Sequence, residues 1–188
     1  MRNAAIFHGT AGSPKHFWHP YVKRELEKMG FNVWVPQLPD AESPDITKWL
    51  PYALDGIDYN SDTVLIGHSA GCPLILSILE NIKVRISLAI LVAAFFEPLD
   101  NIHKEAILQD SYDWERIASN CTRTVIINSD NDPWGCNEKI GMRLFHKIGG
   151  DIIIRHGEGH MGSEKYNQPY KEFPLIVNLV RSYTNSEV

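Results

Sequence analysis

The five residues from Gly67 to Gly71 form a G-x-S-x-G pattern, which constrains this chain more than any other segment. They lie between an apolar run at 63–66, typical of a buried strand, and an apolar segment at 74–79, typical of a helix. A serine at such a turn adopts strained backbone angles, and small residues two positions away avoid collisions across the turn. Chance alone produces the pattern in roughly one chain in twenty of this length. The flanking strand and helix therefore carry its interpretation as a nucleophile elbow.

Short apolar runs alternate with amphipathic segments of helical length along the whole chain, which predicts a single α/β domain over 1–188 with a parallel sheet covered on both faces. The predicted strands are 4–7, 31–35, 63–66, 86–92, 124–128 and 151–155. The predicted helices are 16–29, one beginning near 45, 70–81, 112–119, 138–148 and 170–183, and 93–110 is expected to be largely irregular. Ligands of such sheets bind at the carboxyl ends of the strands.

A serine nucleophile needs a base that is oriented by an acid, and hydrolases of this type carry them in the order Ser, Asp or Glu, His. Asp130 and Asp132 follow the fifth predicted strand, and His156 and His160 follow the sixth. Asp132 is favoured because Pro133 stiffens the loop and holds residue 132 extended. Asp130 is the alternative acid, although an Asx turn or a helix cap would also explain it.

The choice of base is also open between two histidines. His160 is favoured because its glycine-flanked loop can swing the ring toward the serine, whereas His156 lies closer to the strand end. The resulting hypothesis is a Ser69–Asp132–His160 triad.

An oxyanion hole requires two backbone N–H groups that face the developing charge. Ala70 follows the nucleophile and is expected to supply one, and the loop after the first strand is expected to supply the other, with Thr10 favoured. Trp134 and His68 are predicted to contact substrate, although simple packing explains them equally well.

Charge and composition exclude several classes of partner. The net charge is −5 and no Lys/Arg run is present, so neither nucleic acid nor an anionic membrane is expected as a partner. No apolar run is long enough for a membrane span, and the N-terminal run is too short for a signal peptide.

The cysteines and histidines do not predict a metal site. Cys72, Cys121 and Cys136 are widely spaced without a CxxC pair, which favours a reduced cytoplasmic protein. His16 and His19 lack a partner with ligand spacing and are expected to be polar surface residues. No metal or cofactor is expected.

These motifs resemble those of the small α/β-hydrolases grouped with retinoblastoma-binding protein 9 and bacterial YdeN. The matching residues are His8-Gly9, Gly67-His68-Ser69-Ala70-Gly71, Asp132-Pro133 and Gly159-His160. The resemblance covers nearly the whole chain. It implies a six-stranded parallel sheet in the order 2-1-3-4-5-6 without a large cap domain. It also implies a triad at Ser69, Asp132 and His160, with esterase- or aminopeptidase-like activity. Met161-Gly162 departs from the family pattern.

Together these features predict a serine hydrolase that cleaves a small ester, thioester, amide or peptide through an acyl-enzyme intermediate. An acyltransferase that uses an acceptor other than water is a related possibility. The alternative of a different class is a protein-binding module of the same fold with little or no activity, since fold does not determine function.

Overall fold

A computed structural model describes residues 1–99 and 105–184 of the chain. The predicted domain 1–188 and the predicted irregular segment 93–110 therefore include residues outside the described part. The strands are β1 (Asn3–Phe7), β2 (Asn32–Trp34), β3 (Val64–His68), β4 (Ile86–Val92), β5 (Cys121–Ser129) and β6 (Asp151–Arg155). The helices are α1 (His19–Lys28), α2 (Ile46–Leu54), α3 (Gly71–Asn81), α4 (Trp114–Ser119), α5 (Glu138–Ile148) and α6 (Pro174–Thr184).

The six strands form one parallel sheet in the order β2-β1-β3-β4-β5-β6, which confirms the predicted topology. Every crossover contains or adjoins a helix, as parallel neighbours require. Because the strands are parallel, their carboxyl ends meet at one edge of the sheet. The segments that follow β1, β3, β5 and β6 therefore converge there.

The sheet is buried between two helical layers. Helix α1 packs against α6, while α2, α3, α4 and α5 contact one another in succession. Strands β1 and β3 are buried along their whole length, which explains why they read as continuous apolar runs rather than alternating ones. Helix α3 is buried from Gly71 to Leu79, so it carries apolar residues all round. In the described residues no cap domain is inserted between the strands.

Helices α1 and α6 show the largest delays relative to the predicted starts, and both delays have a backbone reason. Helix α1 begins at His19 rather than at 16 because Phe17 has a φ of 51°, which a right-handed helix does not admit. Helix α6 begins at Pro174 rather than at 170, and Tyr170 has a φ of 37°. Proline is well suited to that first helical position. Among the described helices, none has the length and hydropathy needed to span a bilayer.

Candidate active site

Ser69 occupies the sharp turn between β3 and α3. Its φ of 53° lies in the left-handed region, where a non-glycine residue is strained. Its backbone N–H donates to the Val92 carbonyl at 2.9 Å, and its carbonyl accepts from the Cys72 N–H at 2.8 Å. These bonds to β4 and to the first turn of α3 hold the strained conformation, and the side chain is only half-buried.

The glycines around Ser69 are required by close approaches of backbone. A Cβ on Gly67 would lie 2.7 Å from the Gly71 carbonyl oxygen, which is the collision expected across the turn. A Cβ on Gly71 would instead lie 2.4 Å from the carbonyl oxygen of Phe7 on β1. The nearest obstacle to a side chain at position 71 is therefore the neighbouring strand β1, in addition to the collision expected across the turn.

Asp132 and His160 meet in a buried pair at the carboxyl ends of β5 and β6. Asp132 Oδ2 lies 2.7 Å from His160 Nδ1, and the two side chains are 0% and 7% exposed. The other carboxylate oxygen accepts from the backbone N–H of Trp134 at 2.8 Å. An ionised carboxylate only accepts, so it holds the proton on Nδ1 and leaves Nε2 as the basic ring nitrogen.

Ser69 and His160 line the same cavity, but Ser69 Oγ makes no hydrogen bond within the described residues. Such catalytic bonds are often long in enzymes without substrate. The alternative acid and base contact each other instead: Asp130 accepts from His156 and from the Gly157 N–H at 2.9 Å, on the exposed side of the same loops.

Backbone N–H groups at the carboxyl ends of β1 and β3 are available to an oxyanion. Ala70 is the N-cap residue of α3, and its N–H belongs to the unpaired first turn of that helix. In the loop after β1, the N–H groups of Ala11 and Gly12 donate to the carbonyls of Ala41 and Gly9. Thr10 N–H has no acceptor within the described residues, so it is an open donor in this loop.

The loop after β1 also touches the serine directly. A Cβ on Gly9 would lie 2.8 Å from Ser69 Cβ and 3.2 Å from the His68 carbonyl oxygen. Only glycine permits this distance, which brings the Thr10 backbone close to the proposed reacting centre.

Three further buried histidines, His8, His19 and His68, surround the site, and the first two make hydrogen bonds to the loop after β1. His8 donates from Nδ1 to the Gly9 carbonyl at 2.8 Å and accepts the Leu38 N–H at Nε2, 3.1 Å away. His19 donates from Nδ1 to the Ser13 carbonyl at 3.1 Å. Burial lowers the pKa of His8, and it lowers that of His19 to about 3, so both are neutral near pH 7.

The expectation that His19 lies on the surface is therefore wrong. The turns at residues 13–18 fold inward before α1 begins, and they place His19 beside His68 with 6.0 Å between ring centroids. The burial of His19 depends on contacts distant in sequence, which residue spacing does not reveal.

One side-chain amide joins the loop of Asp132 to that of His160, and a second holds the His160 backbone from further along its own loop; sequence reasoning missed both. Asn131 Oδ1 accepts from the Gly159 N–H at 2.8 Å, and Gln168 Oε1 accepts from the His160 N–H at 2.9 Å. Asn131 lies next to Asp132, the predicted acid, and could have been found by its position. No pattern in the sequence identifies Gln168.

A cavity of about 830 Å³ opens above Ser69. The two residues predicted to contact substrate, His68 and Trp134, both line it. Phe17, Phe95 and Leu99 add aromatic and aliphatic surface. This volume and this mixture of apolar walls with a few polar groups are typical of small-molecule sites.

Asp132, Cys136 and His160 form the one set of potential metal ligands in the described residues, with ligand atoms within 4.8 Å of one another. Burial and the Asp132 carboxylate raise the pKa of the Cys136 thiol well above its usual value. A protonated thiol is a poor ligand, and the other two groups already bond to each other. The set suits an oriented imidazole better than a metal ion.

The parallel sheet, the serine elbow and the sequential acid and histidine define an α/β-hydrolase. The model of the serine hydrolase family matches residues 4–182, so the chain belongs to that family. The YdeN protein of Bacillus subtilis is 25% identical over 97% of this chain and 96% of its own length. Serine hydrolase RBBP9 of Rattus norvegicus is 28% identical over 77% of this chain and 81% of its own.

Solved structures agree on the fold. The crystal structure of the B. subtilis ydeN gene product superposes with a TM-score of 0.86 at 23% identity, covering 97% of this chain and 98% of that one. Est1E from Butyrivibrio proteoclasticus, solved with ferulic acid bound, gives a TM-score of 0.69 at 14% identity, covering 97% and 88% of the two chains. The suspected family and the fold class are thereby confirmed.

Proposed function

We propose that this serine hydrolase cleaves esters, thioesters or amides of small substrates with Ser69 as nucleophile, His160 as base and Asp132 as the orienting acid. The observation that carries the proposal is the buried 2.7 Å contact between Asp132 Oδ2 and His160 Nδ1. It orients the ring of a histidine that lines the same cavity as Ser69. Ordinary packing does not require an acid and a histidine to be buried together beside a strained serine.

The proposed reaction has two steps. His160 Nε2 takes the proton of Ser69 Oγ as the oxygen attacks the substrate carbonyl, and the N–H groups of Ala70 and Thr10 stabilise the resulting oxyanion. The imidazolium then protonates the departing alcohol, thiol or amine. In the second step His160 removes a proton from water as the water oxygen attacks the acyl carbon. The bond between that carbon and Ser69 Oγ then breaks, His160 returns the proton to Ser69, and the carboxylic acid leaves.

The walls of the cavity favour a substrate with an apolar acyl or leaving group. Phe17, Phe95, Leu99 and Trp134 supply that surface, and the volume suits a small molecule or a short peptide. We propose ester-like substrates as the first choice and aminoacyl amides as the second. A panel of p-nitrophenyl esters, thioesters and aminoacyl p-nitroanilides separates the two by kcat/KM.

A fluorophosphonate probe with peptide mass spectrometry tests the nucleophile. We expect one adduct, on Ser69, and none in Ser69→Ala. A folded protein that is not labelled would overturn the triad and favour the protein-binding alternative. Product analysis in the presence of competing alcohols or amines distinguishes hydrolysis from acyl transfer.

We also propose that the protein works in the reducing cytoplasm. All three cysteines are buried and unpaired, and burial raises the pKa values of Cys72 and Cys121. Unpaired thiols fit a compartment in which disulfides do not form. Fractionation of cells that express the tagged chain tests this placement.

A further inference from the structure

Two ring N–H groups hold consecutive carbonyls in the loop that carries the proposed base. His68 Nε2 lies 2.9 Å from the carbonyl oxygen of His160, and Trp18 Nε1 donates to the carbonyl of Met161 at 3.0 Å. His68 ends β3, while Trp18 is the N-cap residue of α1. Side chains from two separate elements therefore meet on one short segment of a third.

The direction of the His68 bond is determined by its partner. A backbone carbonyl only accepts, so the imidazole proton of His68 resides on Nε2. His68 is 2% exposed, and burial together with the nearby rings of His160, His19 and His8 lowers its pKa well below the usual value. It is therefore a neutral donor over the pH range in which a serine hydrolase works.

Neutrality matters because the rings of His68 and His160 are neighbours, with 5.0 Å between centroids. In the proposed mechanism His160 becomes an imidazolium. A cationic His68 at that distance would repel the imidazolium of His160 and oppose its formation, whereas a neutral His68 ring adds no such repulsion.

The backbone of His160 is held on both sides. Its N–H donates to Gln168 and its carbonyl accepts from His68, while the next residue, Met161, turns sharply with a φ of 53°. The Asp132 bond then determines the rotation of the ring. Loss of the carbonyl anchor would let the loop move while leaving Asp132 and Ser69 in place.

We propose that His68 is a positioning residue, whose Nε2–H holds the His160 backbone so that the His160 ring faces Ser69. This role rests on the proposed function, because it matters only if His160 is the base. The proposal adds a residue outside the triad, His68, whose Nε2–H donates to the carbonyl oxygen of His160.

The test compares variants that remove the donor with one that retains it. His68→Leu and His68→Asn leave no N–H within reach of the carbonyl, whereas His68→Gln carries a side-chain N–H at a similar distance from the backbone. We expect kcat to fall about 10- to 100-fold in the first two, with little change in KM, and to recover substantially in His68→Gln. The low-field proton resonance of the Asp132–His160 hydrogen bond should broaden or vanish in the donor-free variants and persist in His68→Gln.

Ser77→Ala is the matched control, since Ser77 is also fully buried and its Oγ donates to the Pro73 carbonyl within α3 rather than to the His160 loop. It should lower the melting temperature but retain both kcat and the resonance. If His68→Leu does not fold, the His68→Asn and His68→Gln pair decides the question, and Trp18→Phe tests the neighbouring anchor separately.

Two results would overturn the inference: donor-free variants with wild-type kcat and resonance, or a His68→Gln variant as impaired as His68→Asn. Fluorophosphonate labelling of the wild type separates this failure from failure of the proposed function. If Ser69 of the wild type is labelled but the His68 variants keep wild-type kcat, only the positioning role is refuted. If the folded wild type is not labelled at all, the proposed function itself is refuted.

Discussion

Asp130 and His156 form an ion pair on the solvent side of the same two loops that join Asp132 to His160 inside. The outer histidine is 97% exposed, whereas the inner one is 7% exposed. The two pairs are two residues apart on the first loop and four apart on the second. The outer pair therefore ties the loops together at the surface, while the histidine of the inner pair lines the cavity.

Substitution of the two aspartates should separate these roles. Asp132→Asn should lower kcat/KM roughly a thousandfold or more, because an amide no longer enforces the Nδ1–H tautomer of His160. Asp130→Asn should stay within a few-fold of wild type, since its partner His156 lies outside the cavity. Steady-state hydrolysis of a p-nitrophenyl ester measures both. Equal losses in the two variants would contradict the assignment of the acid.

The outer pair should stabilise the fold only within a window of pH. Its hydrogen bond with Asp130 raises the pKa of His156 above 6.5, so that contribution is present below 6.5 and is lost as pH rises through the higher folded value. The Gly157 N–H and then His156 lower the pKa of Asp130 below 3.8, so its contribution is present above 3.8 and is lost on acidification. The stabilisation should therefore be full between pH 3.8 and 6.5.

Melting temperatures of the wild type and His156→Gln across pH check this window. The difference between them should be larger at about pH 5.5 than at about pH 9. In Asp130→Asn, the NMR titration of His156 should move back toward 6.5. A difference in melting temperature that does not vary with pH would show that the pair contributes no electrostatic stability.

The sheet was predictable because its signal is local. Each central strand is a short apolar run buried on both faces, and the elbow glycines together with the apolar strand and helix beside them mark one junction. The choice of Asp132 followed from Pro133, a nearest neighbour. In each case the information lies within a few residues of the feature.

The surroundings of His160, the proposed base, were not predictable, because they depend on the paths of loops. Trp18 reaches Met161 across 143 positions and His68 reaches His160 across 92. The inward turn at 13–18 depends on Phe17 in the left-handed region, which no propensity favours for an aromatic residue. The burial of His19 follows from that turn, so it was missed for the same reason.

Trp134 should affect substrate binding more than chemistry. Its ring lines the cavity while 41% of the residue is exposed, and its contact with Asp132 is made by the backbone N–H, which Trp134→Ala retains. We expect KM for aryl esters to rise about two- to tenfold with kcat nearly unchanged. Tyr52→Ala, at an equally exposed aromatic on α2 that does not line the cavity, should leave KM unchanged. A fall in kcat without a change in KM would indicate instead that the Trp134 side chain helps to position Asp132.

Gly9→Ala should impair catalysis by moving the loop after β1 away from the serine. The added methyl would lie 2.8 Å from Ser69 Cβ, a distance that real side chains do not tolerate, so the loop and its Thr10 N–H must shift. We expect kcat/KM to fall at least about tenfold with KM nearly constant, since the oxyanion contact forms only in the transition state.

Gly30→Ala is the matched control for the cost of adding a methyl group. Gly30 has a φ of 86° with no atom within 4 Å of an added Cβ, so the change strains the backbone without a collision. Gly30→Ala should cost about 1–2 kcal/mol of stability and leave kcat/KM unchanged. In Gly9→Ala, by contrast, the loss of kcat/KM should be the main effect. If Gly9→Ala kept full activity, the Thr10 N–H could not be the second oxyanion donor, because its position depends on the contact between Gly9 and Ser69.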